Sequence, residues 1–276
     1  MSKLIWDQSS ERIYETGVSN GVLYPQDENG LYPVGYAWNG LTGYTESPSG
    51  ADETALYADN MKYLSIRAAE DIGATIECFN VPDAFLDIDG TRELIKGVRV
   101  FQQVRKNFGF VCKTILGNDV KDNDYSYKIH ILYNGSVSPT ERGYATVNES
   151  PDAMTFSYEV ATTPIEMPNG LKASALIVID ASKFVTTEEK AVLKALEDVL
   201  FGSDDTYTET SDETPQAGVT YYTRSGAGTS QSPYTYTEFT GSTFDSGTTY
   251  YVKVVNGARL PLPDEIYAIL GGSTVG

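Results

Sequence analysis

Six Asn-Gly pairs, beginning at Asn20, Asn29, Asn39, Asn134, Asn169 and Asn256, punctuate this chain. Both residue types tolerate the positive φ that a type I′ turn demands at its two central positions, so each pair is expected to be a hairpin tip. Short or alternating apolar runs lie among them. "ATIECF" (74–79), "FGFVCKTIL" (108–116), "YSYKIHILY" (125–133), "AMTFSYEVAT" (153–162) and "SALIVID" (174–180) read as strands. In 125–133, Tyr125, Tyr127, Ile129, Ile131 and Tyr133 share one face, which predicts a half-buried strand with His130 on the other side. The 25 glycines and 20 tyrosines point the same way. The expected fold class is mainly β and antiparallel.

One helix interrupts this pattern, in "TTEEKAVLKALEDVLFG" at 186–202. Thr186 followed by Glu189 forms a capping box, and Glu188 and Glu189 suit the positive end of the helix dipole. Val192, Leu196, Val199 and Leu200 make an apolar stripe with Leu193 at its edge, and Gly202 terminates the helix. The body is therefore expected to be a β-sandwich or barrel with one packed α-helix.

Residues 203–257 differ in kind. They contain no Leu, Ile, Met or Cys, yet hold seven tyrosines and 13 threonines. Within them "TYTETSDETPQAGVTYYTRS" (206–225) recurs 29 residues later as "TYTEFTGSTFDSGTTYYVKV" (235–254). A fixed period marks a repeated unit, although two copies are too few for a solenoid. Each copy reads as a hairpin, a "TYTE" strand and a Tyr-Tyr strand joined by a polar turn. Two such hairpins give a four-stranded sheet near the lower size limit for folding alone. "ARLPLPDEIYAIL" (258–270) then resumes the apolar style of the body. The domains are thus 1–202, continued by 258–276, and an inserted Tyr/Thr-rich β appendage at 203–257.

The balance of 38 acidic against 20 basic side chains, a formal charge of −18, disfavours a nucleic-acid binder, which needs Lys and Arg clusters for phosphate. No segment reads as a signal peptide or membrane span, since the best apolar run, "ALIVI" at 175–179, has strand length. Cys78 and Cys112 lie in apolar stretches without metal-type spacing, so two reduced, buried thiols are expected in preference to a disulfide. Asn134-Gly-Ser136 and Asn148-Glu-Ser150 match a glycosylation pattern that carries little weight without a secretion signal.

No catalytic, cofactor-binding or metal site emerges. His130 is the sole histidine, and its place between Ile129 and Ile131 favours a structural or surface role over that of a catalytic base. "GAGTS" at 226–230 lacks the lysine of a phosphate loop. "DIDG" (87–90) and "DVKDND" (119–124) are acidic turns without the ligand series of a calcium loop. The expectation is a protein that is not an enzyme. A β-sandwich hydrolase would need a carboxylate pair that nothing singles out.

Several segments of the body resemble the major tail, or tail-tube, proteins of long-tailed, non-contractile bacteriophages. They are "IWDQSSERIYETGVSNGVLYP" (5–25), "AWNGLTGYTESPSGADETALYADNMKYL" (37–64), "GATIECFNVPDAF" (73–85), "GVRVFQQVRKNFGFVCKTILGND" (97–119), 127–164, and "LEDVLFG" (196–202) leading to "RLPLPDE" (259–265). The resemblance implies a tail-tube β-sandwich that self-assembles into stacked hexameric rings, the conduit for DNA ejection. It implies a virion tail assembled in the host bacterial cytoplasm, with a tape measure inside the tube and terminator and tail-tip proteins at its ends. DNA would pass the lumen without specific binding, and no membrane would be involved. The resemblance is silent on 203–257, which is expected to decorate the outer surface of such a tube. An alternative makes the insert the working part: a carbohydrate- or host-surface-binding β module of a phage or bacterial surface structure.

Overall fold

The computed structural model describes residues 4–144, 146 and 153–272, so Asn148 and Ser150 of the second glycosylation-like triplet lie outside the described residues. The chain is mainly β and divides into two compact units, Met1–Phe201 with Ala258–Gly276, and Gly202–Gly257.

The first unit contains β1 (Ile13–Pro25), β2 (Tyr36–Ala37), β3 (Leu41–Gly50), β4 (Glu53–Ala58), β5 (Met61–Arg67), β6 (Glu70–Cys78), β7 (Arg92–Ile95), β8 (Val98–Val100), β9 (Phe108–Asn118), β10 (Asp122–Val137), β11 (Phe156–Thr162) and β12 (Leu176–Asp180). Helix α1 (Thr187–Phe201) follows β12, and α2 (Pro263–Ile269) lies in the C-terminal segment. The main sheet runs β2-β1-β9-β10-β11-β6-β3, with β12 also pairing β10.

Strand β10 organises this unit. Lys128–Leu132 pair with β12, whereas Gly135–Val137 pair with β11. The change of partner falls at Asn134-Gly135, where the register against β9 slips and Asn134 takes φ +50°. The bulge turns the strand from one layer into the next. Asn20-Gly21 does the same inside β1, with Asn20 at φ +52° beside a register shift against β9. These two pairs are therefore bulges and not hairpin tips. Of the six, only Asn169-Gly170 has both residues at positive φ. The left-handed backbone that favours Asn-Gly serves a bulge as well as a turn, so the dipeptide alone does not distinguish them.

The alternation of side chains sorts them into two cores. Leu23, Phe108, Phe110, Cys112 and Leu132 face inward between the sheet layers, joined by Ile76, Cys78, Tyr158 and Val160. Their neighbours Val22, Tyr24, Val111, Ile129, Ile131 and Tyr133 point the other way, against Leu193, Leu196 and Leu200 of α1 and Ile266 of α2. The central part of β10, Ile129–Tyr133, is thus buried on both faces, where the sequence suggested a half-buried strand. The helix side comes from segments remote in sequence, so periodicity within 125–133 could not reveal it.

Helix α1 begins as its capping box requires: Thr186 N–H donates to Glu189 Oε2 (2.9 Å), and Glu189 N–H donates to Thr186 Oγ1 (3.2 Å). Gly202 follows its end at φ +78°. Leu193 is buried together with Leu196 and Leu200, while Val192 and Val199 are only half-buried. The second helix was not anticipated, although its signals stand in the sequence: Pro263 at the first turn, with Asp264 and Glu265 beside it. The C-terminal segment is tied to the body by backbone bonds from Arg259 N–H to Val199 O (2.9 Å) and from Leu260 N–H to Tyr32 O (3.1 Å). Tyr133 Oη donates to Pro261 O (2.7 Å).

The second unit is a four-stranded antiparallel sheet of β13 (Thr206–Glu209), β14 (Tyr221–Ser225), β15 (Thr235–Phe239) and β16 (Tyr250–Val254), in the order β13-β16-β14-β15. The two copies do not form separate hairpins. The first strand of copy one pairs with the last strand of copy two, and β14 pairs with β15 across the copy boundary. The reason lies in 210–220, which is too long for a tight turn and folds back over one face instead. There Gln216 N–H donates to Tyr221 Oη (3.1 Å), and Tyr221 Oη donates to Asp212 (2.6 Å). Tyr221, Phe239, Phe244 and Tyr250 fill that face, with Phe244 stacked on Tyr250 at 4.0 Å. On the other face Tyr207 stacks on Tyr236 with centroids 3.8 Å apart, beside Tyr222 and Tyr251.

Candidate assembly surfaces

Sequence "ETALYADNMKYLSIR" alternates around Asp59-Asn60, and both turn residues take positive φ (49° and 60°). They close the β4–β5 hairpin from Glu53↔Arg67 to Ala58↔Met61. Among the described residues the two strands pair only with each other. Apolar side chains on both faces remain open to solvent, including Tyr57 (73% exposed), Tyr63 (71%), Met61 (64%) and Ile66 (56%). An isolated two-stranded hairpin is marginal in water, and this one has no core beneath it. The hairpin escaped the sequence analysis because its tip is Asp-Asn and not Asn-Gly.

The β7–β8 hairpin repeats the situation around Gly97, which takes φ +84°. Leu94, Ile95, Val98 and Val100 are exposed, as are Phe101 and Val104 just beyond. Leu4, Ile5 and Trp6 add a third exposed apolar segment. Scattered apolar residues need no explanation, but contiguous ones on unsupported hairpins are candidates for a contact surface. Burying a large apolar side chain is worth about 1.5–3 kcal/mol.

His130 is buried at the seam between the two layers. Its Nδ1 lies 2.7 Å from Glu46 Oε1 on β3, while Nε2 lies 3.0 Å from Thr114 Oγ1 and 3.4 Å from Glu15 Oε1. Lys128 Nζ donates to Glu15 Oε2 (2.5 Å), and Thr114 Oγ1 donates to Glu15 Oε1 (2.5 Å). Burial alone would raise the Glu15 carboxyl, but hydrogen bonds from Lys128 and Thr114 and the nearby charges hold it below its ordinary value. A hydroxyl, an imidazole and a carboxylate in line are the parts of a nucleophilic relay. Here the hydroxyl proton is given to Glu15. Two clefts open on the body, one beside Tyr127, Lys190 and Lys194 and one beside Asn20, Trp38 and Phe201, and neither is lined by this group.

Cys78 and Cys112 are free and buried in the inter-layer core, and burial pushes both thiols up. Three of the five acids in the two acidic turns have protein partners: Asp87 meets Lys106 at 2.9 Å, Asp89 bonds Arg142, and Asp119 accepts from Ser10 N–H at 2.9 Å. Among the described residues no group of three His, Cys, Asp or Glu side chains is placed to hold a metal. Nor, among the described residues, is any helix long and apolar enough to cross a membrane.

Comparison with known proteins adds little. No family model matches the chain, and no curated protein does. Among solved structures it is similar to a chain of the 6-fold-symmetrised cryo-electron-microscopy structure of the anti-feeding prophage (AFP) baseplate. That likeness has 12% identity and a TM-score of 0.32 and covers 65% of this chain and 97% of that one, too slight to carry fold or function across.

Proposed function

We infer that this chain is a structural subunit that self-assembles through its body, and that the assembly is the tail tube of a long-tailed, non-contractile bacteriophage. The observation carrying the self-assembly reading is the pair of apolar hairpins, β4–β5 and β7–β8, with no core of their own. A closed ring of identical subunits buries such surfaces without leaving an open edge. The tail-tube reading rests on the sequence resemblance across the body. It makes the functional assembly a stack of hexameric rings in the virion tail, built in the host cytoplasm, with other tail proteins inside and at its ends.

The formal charge of −18 suits a conduit for DNA. Excess carboxylate near the duplex repels phosphate, and screening over about 8 Å confines the effect to the lumen wall. The chain has no catalytic role in this reading, and His130 holds the layers together. The Gly202–Gly257 module decorates the outside of the assembly. Sedimentation of the purified protein over a wide concentration range tests the proposal: large species of defined size support it, and a monomer throughout refutes it.

A further inference from the structure

The module's register has an internal two-fold symmetry. Shifting every pair by 29 residues maps the sheet onto itself. Thr206↔Val254 becomes Thr235↔Ser225, Tyr207↔Lys253 becomes Tyr236↔Arg224, and Glu209↔Tyr251 becomes Glu238↔Tyr222. Tyr221↔Val252 becomes Tyr250↔Thr223, and Tyr222↔Tyr251 maps onto itself, so the axis passes between these two tyrosines. Side-chain contacts obey the same operation. The Tyr207–Tyr222 packing at 5.1 Å is repeated by Tyr236–Tyr251 at 5.4 Å, and the Tyr207–Tyr236 stack spans the axis. The bond from Gln216 N–H to Tyr221 Oη is repeated by that from Asp245 N–H to Tyr250 Oη (2.9 Å).

No strand of either copy pairs with the other strand of the same copy. A copy by itself therefore has two unpaired strands and one half of a tyrosine cluster, while its complement is another copy of itself. We propose that the 29-residue repeat is a self-complementary dimerisation unit, and that this chain carries two so that the dimer closes internally. A chain reduced to one copy would close on a second copy of the chain instead. The nine-residue loop Gly226–Tyr234 decides between the two outcomes. It joins β14 to β15 and holds the copies at an effective concentration in the millimolar range, so internal closure excludes pairing between chains. Duplication thus keeps the module from cross-linking one subunit to the next.

The two copies are not equal partners. Phe239 and Phe244 of copy two stand where copy one has Thr210 and Pro215, and both phenylalanines pack on Tyr250. A pair of second copies would hold four phenylalanines in its core, and a pair of first copies none. Copy two should be the stronger dimerisation unit.

The test removes one copy from the full chain with both junctions preserved. Deleting 206–234 joins Asp205 to Thr235 and retains copy two; deleting 226–254 joins Ser225 to Val255 and retains copy one. In the chain retaining copy two, residue 251 lies on the new axis opposite residue 251 of the second chain. With Tyr251→Cys and a copper-phenanthroline oxidant, that chain should cross-link to a covalent dimer in at least tenfold higher yield than the parent carrying the same substitution. In the parent, residue 251 faces Tyr222 of its own chain, so assembly through the body adds the same background to both. Equal yields would overturn the proposal. Amide exchange without any cysteine supplies a second reading. Tyr250–Val254 of the chain retaining copy two should be protected, should lose protection on dilution, and should lose it sooner in the corresponding strand when copy one is retained. Absent protection, or protection that dilution does not change, would overturn the proposal independently.

Discussion

His130 Nδ1 and Glu46 Oε1 meet at 2.7 Å across the two sheet layers, 84 residues apart in sequence. On its other side the ring touches Thr114 and Glu15. His130→Ala would leave Glu46 without this partner and open a gap in the seam. The expected cost is about 1–3 kcal/mol of unfolding free energy, read from urea denaturation. Assembly should persist under conditions where the variant remains folded. A stable variant that folds but fails in assembly would assign His130 a role outside the seam.

Acid should weaken the body through particular carboxylates. The hydrogen bonds from Arg259 hold Glu265 below its ordinary value of 4.5, against a smaller opposing effect of burial. Glu15 is lowered as well, because Lys128 and Thr114 outweigh the upward push of burial. A carboxyl depressed in the folded state contributes stability above its unfolded pKa and loses it as pH falls through the folded value. Melting temperature should therefore begin to drop near pH 4.5 and continue downward below it. Glu15→Gln and Glu265→Gln should each flatten that slope, which thermal melts from pH 7 to pH 3 would measure.

The hairpin surfaces make a sharper distinction. Tyr57→Asp with Tyr63→Asp places charge on exposed positions of β4 and β5. Stability of the isolated subunit should change by no more than about 0.5 kcal/mol per substitution, since neither ring is buried within it. Assembly should be lost, because the same positions would place charge in an apolar contact. Size-exclusion chromatography at matched concentration reads the difference, and unchanged assembly would remove β4–β5 from the interface.

Replacing 203–257 with a short Gly/Ser linker tests the division of the chain. The body should keep its melting transition and its capacity to assemble, losing only the mass of the module. A deleted chain that folds but no longer assembles would place the module in the contact between subunits.

Strands β6, β9, β10, β11 and β12 were legible because each carries its own apolar run, and α1 because its capping box is local; β1 and β3, whose apolar residues are broken up by glycine and polar residues, were not. What escaped depends on partners distant in sequence. The two-sided burial of Ile129–Tyr133 comes from α1 and α2, and the pairing of Thr206–Glu209 with Tyr251–Val254 joins opposite ends of the insert. The repeat announced two equivalent units, but equivalence does not say whether copies pair within or between themselves. Helix α2 carries local start signals in Pro263, Asp264 and Glu265, but its seven residues are too few to show an apolar period. The exposed hairpin β4–β5 left only the weak signal of alternation around Asp59-Asn60. The seam at His130 was not legible at all, because Glu15, Glu46 and Thr114 come from three other strands.

Electron micrographs of the purified full-length chain test the central claim most directly. The account predicts rings of one diameter, or tubes made by their stacking, with a stain-filled lumen wide enough for a DNA duplex. A field of monomers at concentrations where other tests show folded protein would contradict it, as would closed particles without a channel.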